Sequence, residues 1–177
     1  VRSRGLGDVY KRQLYNRRYF LDMLEREIAR NDRHNRIFSL VILDLDLFKE
    51  INDQLGHLAG DEILKDLGYV LRNRVRRDDT AARIGGEEFA VLLPETRLDD
   101  ALELAEDIRR AVREHEFRCG DRVIPLTTSL GVAEWSGRMN NASDILRAAD
   151  EALYEAKRAG RDCVRGTAPG DGRLRSV

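Results

Sequence analysis

Residues 80–93 read Thr-Ala-Ala-Arg-Ile-Gly-Gly-Glu-Glu-Phe-Ala-Val-Leu-Leu. Two apolar runs, Thr80 to Ile84 and Phe89 to Leu93, flank Gly85-Gly86, the pattern of a tight hairpin between antiparallel strands. The turn needs only its glycines. Glu87 and Glu88 are surplus to it, and adjacent carboxylates repel each other unless cations or water screen them.

Upstream, Ile37 to Leu45 (IFSLVILDL) is a near-continuous apolar run, as expected of a strand buried on both faces. It leads into Asp44-Leu45-Asp46. A single Asp at a strand end is commonly a cap or turn residue. Asp-x-Asp is harder to explain that way, because alternation places Asp44 and Asp46 on one side of the strand. A hairpin lying beside this strand would bring Glu87 to Asp44, and clustered hard oxygens suit Mg²⁺.

The chain at this point resembles the GGDEF domain, the diguanylate cyclase family, in a Gly-Gly-Glu-Glu-Phe form. The matching pieces are Asn16-Arg17-Arg18, the run Asp44 to Asp53, Gly56-His57 with Gly60-Asp61, Arg83 to Phe89, Thr128-Ser129-Leu130-Gly131, Ala149 to Tyr154, and Ala156 to Arg161. They stand in the family's order. Gly-Gly-x-Glu-Phe alone is a weak signal; the ordered set is specific and spans residues 14–165.

Composition is compatible. The 177 residues suffice for one domain with a real core. Charged residues make up 36%, yet 31 basic against 32 acidic side chains leave a net charge of −1. That argues against a nucleic acid polymer as partner, since such proteins carry a basic face. No apolar stretch approaches the roughly 20 residues of a membrane span, and no signal-peptide pattern occurs. The fragment is therefore expected to be cytoplasmic, although a parent protein could be membrane-anchored. Cys119 and Cys163 form no CxxC pair and read as idle thiols of a reducing compartment.

Three segments are expected. Residues 1–13 show no periodicity and lack the family's Asp-x-Leu-Thr-Gly turn, so they read as a disordered or foreign leader. Residues 14–165 form the domain, and 166–177, rich in Gly and Arg, read as a disordered tail. Within the domain, Asn16 caps a first helix. A short helix starts near Phe48, and a longer one presents Ile63, Leu64, Leu67, Val70, Leu71 and Val75 on one face. Thr96-x-x-Asp99 has capping-box spacing before a helix carrying Leu98 to Val112. A strand region runs from Val123 to Trp135. A last helix from Ser143 ends at Gly160 as C-cap. Helices mixed with an antiparallel hairpin give an α/β (α+β) sandwich, a central mainly antiparallel sheet with packed helices. The resemblance sharpens this to the ferredoxin-like palm core of nucleotide cyclases.

The resemblance implies condensation of two GTP into cyclic di-GMP, a bacterial second messenger, with release of two pyrophosphates across a homodimer. It places two Mg²⁺ or Mn²⁺ ions at Asp44, Glu87 and the Leu45 carbonyl. Glu87, Lys49 and Glu88 are the catalytic candidates. Asn52 and Asp61 match guanine-reading positions, although both residue types also serve as helix caps. Phe48 and Lys49 open a helix whose free N–H groups favour anions. With Lys157 and Arg161 they are the phosphate candidates; a basic pair at a helix C-terminus also complements the dipole. His57 reads as a structural residue. Arg76-x-x-Asp79 matches the family's product-inhibition site, while Asp107 stands where related proteins commonly place a further arginine. Two other classes compete: a silent module that binds GTP or cyclic di-GMP, and another palm-type nucleotidyltransferase. Asp44, Lys49, Glu87 and Glu88 favour turnover, and Asn52, Asp61 and the Arg-x-x-Asp turn favour the dinucleotide product.

Overall fold

The computed structural model describes residues 14–167 and 174–177. The expected leader lies outside them. The domain begins with α1 (Arg17–His34), started by Asn16, whose side chain accepts from the Tyr19 N–H at 2.9 Å. Strand β1 (Phe38–Leu45) follows, then α2 (Phe48–Leu55), α3 (His57–Arg72), β2 (Thr80–Arg83) and β3 (Glu88–Pro94). Next come α4 (Leu98–Glu114), the small pair β4 (Phe117–Cys119) and β5 (Arg122–Ile124), and β6 (Thr128–Glu134). The chain closes with α5 (Ala142–Arg158), β7 (Val164–Thr167) and β8 (Leu174–Ser176).

The main sheet has the order β2-β3-β1-β6-β7-β8. All neighbours are antiparallel except β6 and β7. The strand–helix–hairpin–helix–strand core, with β1 between β3 and β6, is the ferredoxin-like arrangement.

Strand β1 is buried along its whole length, because alternate residues serve two cores. Val41, Leu43 and Leu45 face α3 and α4 through Leu67, Leu71, Ala105 and Ile108. Phe38, Leu40 and Ile42 face α1 and α5 through Phe20, Leu24, Ile145 and Ala149. Each fully buried Leu or Phe contributes about 1.5–3 kcal/mol, so the strand carrying the Asp-x-Asp motif is among the most firmly held in the molecule. Gly131 on β6 lets α5 approach to backbone contact: a Cβ there would meet the Ala149 carbonyl oxygen at 2.1 Å.

Several local expectations change. The strand region 123–135 divides into β5 and β6. The capping box at Thr96 does not form: Thr96 Oγ1 donates to the Pro94 carbonyl, and Glu134 from β6 accepts the Leu98 N–H at 2.6 Å. A carboxylate from another strand thus does the capping. Of the tail expected from residue 166, residues 168–173 lie outside the described residues, and the rest, up to Ser176, is strand. Gly166 and Thr167 belong to β7, and Leu174–Ser176 pair with it as β8. The parallel β6–β7 ladder explains this, since β7 leaves a further strand edge to be paired.

Candidate active site

The site lies where β1 ends, between the β2–β3 hairpin and the C-terminus of α5. Asp44 is paired in register with Glu88 on one side and Ser129 on the other. Glu87 is close enough for its charge to act on Asp44, so hairpin and strand do meet across the sequence. Burial pushes the Asp44 carboxyl above the usual carboxylate range; Lys157 opposes this, and Glu87 and Asp46 add to it. Lys157 Nζ reaches Asp44 Oδ2 at 2.5 Å. Asp44 Oδ1 is buried with no hydrogen-bond partner.

Asp46 differs although it is two residues away on the same side. Its Oδ1 accepts from Ser129 Oγ at 2.6 Å. Its Oδ2 accepts from Thr127 Oγ1 at 2.6 Å and from the Asp162 N–H at 3.0 Å. Asp46 is satisfied and ties β1 to β6 and to the segment after α5. Ser129 was part of a quoted motif but carried no expected role, and Thr127 was not singled out; the hydroxyl run 127–129 opposite Asp-x-Asp was the available signal.

The hairpin tip is held by arginines rather than by special glycine geometry. Neither Gly85 nor Gly86 takes positive φ. Four residues separate β2 from β3, enough to turn without the left-handed pair a two-residue loop requires. Arg83 donates to the Gly85 and Gly86 carbonyls, its shortest bond being 2.6 Å, and Arg17 donates to Ile84 at 3.3 Å. Glu87 and Glu88 remain half-buried. Glu88 folds back, its Oε2 lying 2.8 Å from where a Gly85 Cβ would stand.

Next to β1, Leu47 turns the chain with φ +58° and starts α2 without a side-chain cap. The first N–H groups of that helix, those of Phe48 and Lys49, therefore have no intrahelical acceptor. The Phe48 ring is buried in the core while Lys49 is exposed. Asn52 sits on α2 and Asp61 on α3, across the break at Gly56. Gly60 makes room for Asn52, since a Cβ there would lie 1.8 Å from Asn52 Oδ1. That oxygen is buried and also lacks a partner. Asp61 and Arg161 are exposed.

Among the described residues no three His, Cys, Asp or Glu side chains group as a metal cage. The donors on hand are two carboxylates and the Leu45 carbonyl. This set fits Mg²⁺ or Mn²⁺, which retain water and substrate phosphates as ligands, and the orphaned Asp44 oxygen is a ready hard donor.

Arg76 and Asp79 lie apart from this site, at the opposite end of β2. They line a cavity of about 600 Å³ with Tyr15, Tyr19, Arg30 and Arg36. Asp79 is buried and accepts from the Arg76 N–H at 2.8 Å. Burial raises its pKa and the Arg76 contact opposes this. Asp107 pairs with Arg74 at 3.5 Å and is not part of the cavity wall.

A ferredoxin-like sheet with an acidic site at the end of its central strand defines a palm-type α/β domain. The model of the family described as diguanylate cyclase, GGDEF domain, matches residues 11–163, and the chain belongs to that family. It is 45% identical over 150 residues to diguanylate cyclase DgcP of Pseudomonas aeruginosa, covering 84% of this chain and 22% of that protein. It is similar to the active GGEEF domain of a diguanylate cyclase from Vibrio cholerae, at 37% identity and TM-score 0.80, covering 85% and 95% of the two chains. The GGDEF domain of DgcB from Caulobacter crescentus, solved in complex with c-di-GMP, matches at 32% identity and TM-score 0.82, covering 86% and 91%. The chain thus spans about a fifth of the full-length DgcP relative.

Proposed function

We propose that this domain condenses two GTP molecules into cyclic di-GMP, releasing two pyrophosphates. The observation that carries this reading is the pair of orphaned acceptors. Among the described residues, Asp44 Oδ1 and Asn52 Oδ1 are the two buried side-chain polar atoms without a partner. Such atoms cost free energy until a donor or cation reaches them. A cation suits the first, and the N–H edge of guanine suits the second.

Asp44, Glu87 and the Leu45 carbonyl would hold the divalent ions, Mg²⁺ or Mn²⁺, two per site. Bound there, such ions would supply charge neutralisation for the triphosphate and lower the pKa of the ribose 3′-hydroxyl. Glu87 assists removal of that proton, and Glu88 orients the hydroxyl. The 3′ oxygen then forms a bond to the α-phosphorus of the second GTP as the bond to pyrophosphate breaks. Lys157, which pairs with Asp44, is the candidate that would turn to the triphosphate. Lys49, Arg161 and the Phe48 and Lys49 N–H groups complete the phosphate cradle. Asn52 and Asp61 read the base. Each domain holds one GTP, so two domains face each other as a homodimer. Arg76 and Asp79 bind the product as a separate inhibitory site.

Incubation with GTP and Mg²⁺, with products resolved by chromatography, tests the reading. Cyclic di-GMP and pyrophosphate are expected in a ratio of about 1:2 from the balanced reaction, with specific activity falling on dilution as dimers dissociate. Glu87→Gln is expected to lower the initial rate by about 10²-fold or more with an unchanged circular dichroism spectrum. Near-normal turnover in the folded variant removes Glu87 from its role. GTP binding without any turnover identifies a silent module instead.

A further inference from the structure

We propose that Arg109 on α4 and Asp162 beyond α5 form a positioning clamp for Arg161; this rests on the nucleotide-condensing reading above.

Helix α5 ends in a Schellman motif. Gly160 takes φ +114°, its N–H donates to the Lys157 carbonyl, and the Arg161 N–H donates to Ala156 at 3.1 Å. Such an exit needs one left-handed residue, which glycine supplies. The chain then adds two more that are not glycine: Arg161 at φ +66° and Asp162 at φ +45°. L-residues rarely adopt this region, and they keep it where their surroundings over-determine it.

Asp162 supplies that determination. Its Oδ1 accepts from Arg109 Nη1 at 2.7 Å, and its Oδ2 from Arg113 Nη1 at 2.8 Å. Its N–H donates to Asp46 Oδ2, the acidic hub beside Asp44. Arg109 is itself locked, with Nε and Nη2 both on Glu106 at 2.8 and 2.7 Å, and its side chain is only 14% exposed. Helix α4 docks on the sheet through Ala105, Ile108 and Val112, so apolar packing already holds it. The polar bridge spans 53 positions to fix one backbone turn. What that turn controls is the direction in which Arg161 leaves the chain, four residues after the Lys157 that touches Asp44.

The test uses the whole chain, a non-hydrolysable GTP analogue with Mg²⁺ for affinity, steady-state kinetics, and thermal melts. Asp162→Ala is expected to weaken analogue binding about tenfold and to raise KM alike, with kcat changed less than about threefold. Arg161→Ala should match it. The double variant should lose no more than either single one, because both remove the same contact. Arg109→Lys, retaining one donor, should recover part of the loss that Arg109→Gln causes. Should Asp162→Ala fail to fold, Arg109→Gln alone and combined with Arg161→Ala answers the same question. Unchanged affinity in folded clamp variants, or losses that multiply in the double variant, overturn the clamp alone. A starting protein that binds no analogue overturns the nucleotide reading and the clamp with it.

Discussion

Asp44 is buried, and one of its two oxygens has no partner, which sets the proposed metal ligand at odds with the stability of its own fold. Its pKa is raised chiefly by burial. A carboxyl with a raised folded-state pKa contributes stability fully below its unfolded value of about 3.8. That contribution is lost as pH rises through the folded value. Asp44→Asn keeps the shape and removes the charge. Without divalent metal it is expected to melt above the starting protein at pH 8, with the difference shrinking towards pH 4. Product formation should be lost. Melting curves across pH check this, and an Asn variant that melts lower at pH 8 contradicts the assigned strain. Alternation made Asp44 and Asp46 legible as a pair on one side of a strand. Which of them keeps an open oxygen was not legible, because the hydroxyls that satisfy Asp46 come from 81 and 83 residues away.

At the scale of elements, the junction of α2 and α3 shows how packing overrules propensity. Gly60 lies inside a helix, where Ala would ordinarily gain about 1 kcal/mol. A Cβ there would strike Asn52 Oδ1 at 1.8 Å and approach the Phe48 ring at 3.1 Å. The side chain of Asn52 is the part able to move. Gly60→Ala is therefore expected to leave the melting temperature within a few degrees while displacing Asn52. The preference for GTP over ATP in competition binding should narrow by roughly 1–3 kcal/mol, the cost of an unpaired donor. Unaltered discrimination would separate Asn52 from base recognition. Helix and strand positions were largely readable from periodicity: β1, the hairpin, the Asn16 cap and the Gly160 exit stand where the sequence placed them. The cap on α4 was not readable, since local spacing at Thr96 pointed to Asp99 while the acceptor comes from Glu134 on β6.

At the scale of the whole molecule, the sheet sets its acidic site and the Arg76–Asp79 turn at opposite ends of the edge strand β2. Tail residues 174–176 escaped the sequence because an edge strand earns its order from a neighbour's open ladder, not from its own composition. The same separation gives the last prediction. Arg76 and Asp79 line a cavity of about 600 Å³ together with Arg30 and Arg36. Guanidinium groups pair with phosphate or with the acceptor edge of guanine. Asp107, occupied by Arg74, brings no positive charge. Cyclic di-GMP is expected to bind here and to slow turnover, but less tightly than at a site with a further arginine on α4. Calorimetry on Arg76→Ala should show affinity reduced by about tenfold or more, as for loss of a charge-assisted contact. Uninhibited turnover at low product should be unchanged, because Arg76 lies outside the active site. Equal binding and equal inhibition in the variant would reduce the turn to a charged loop closed by its own aspartate.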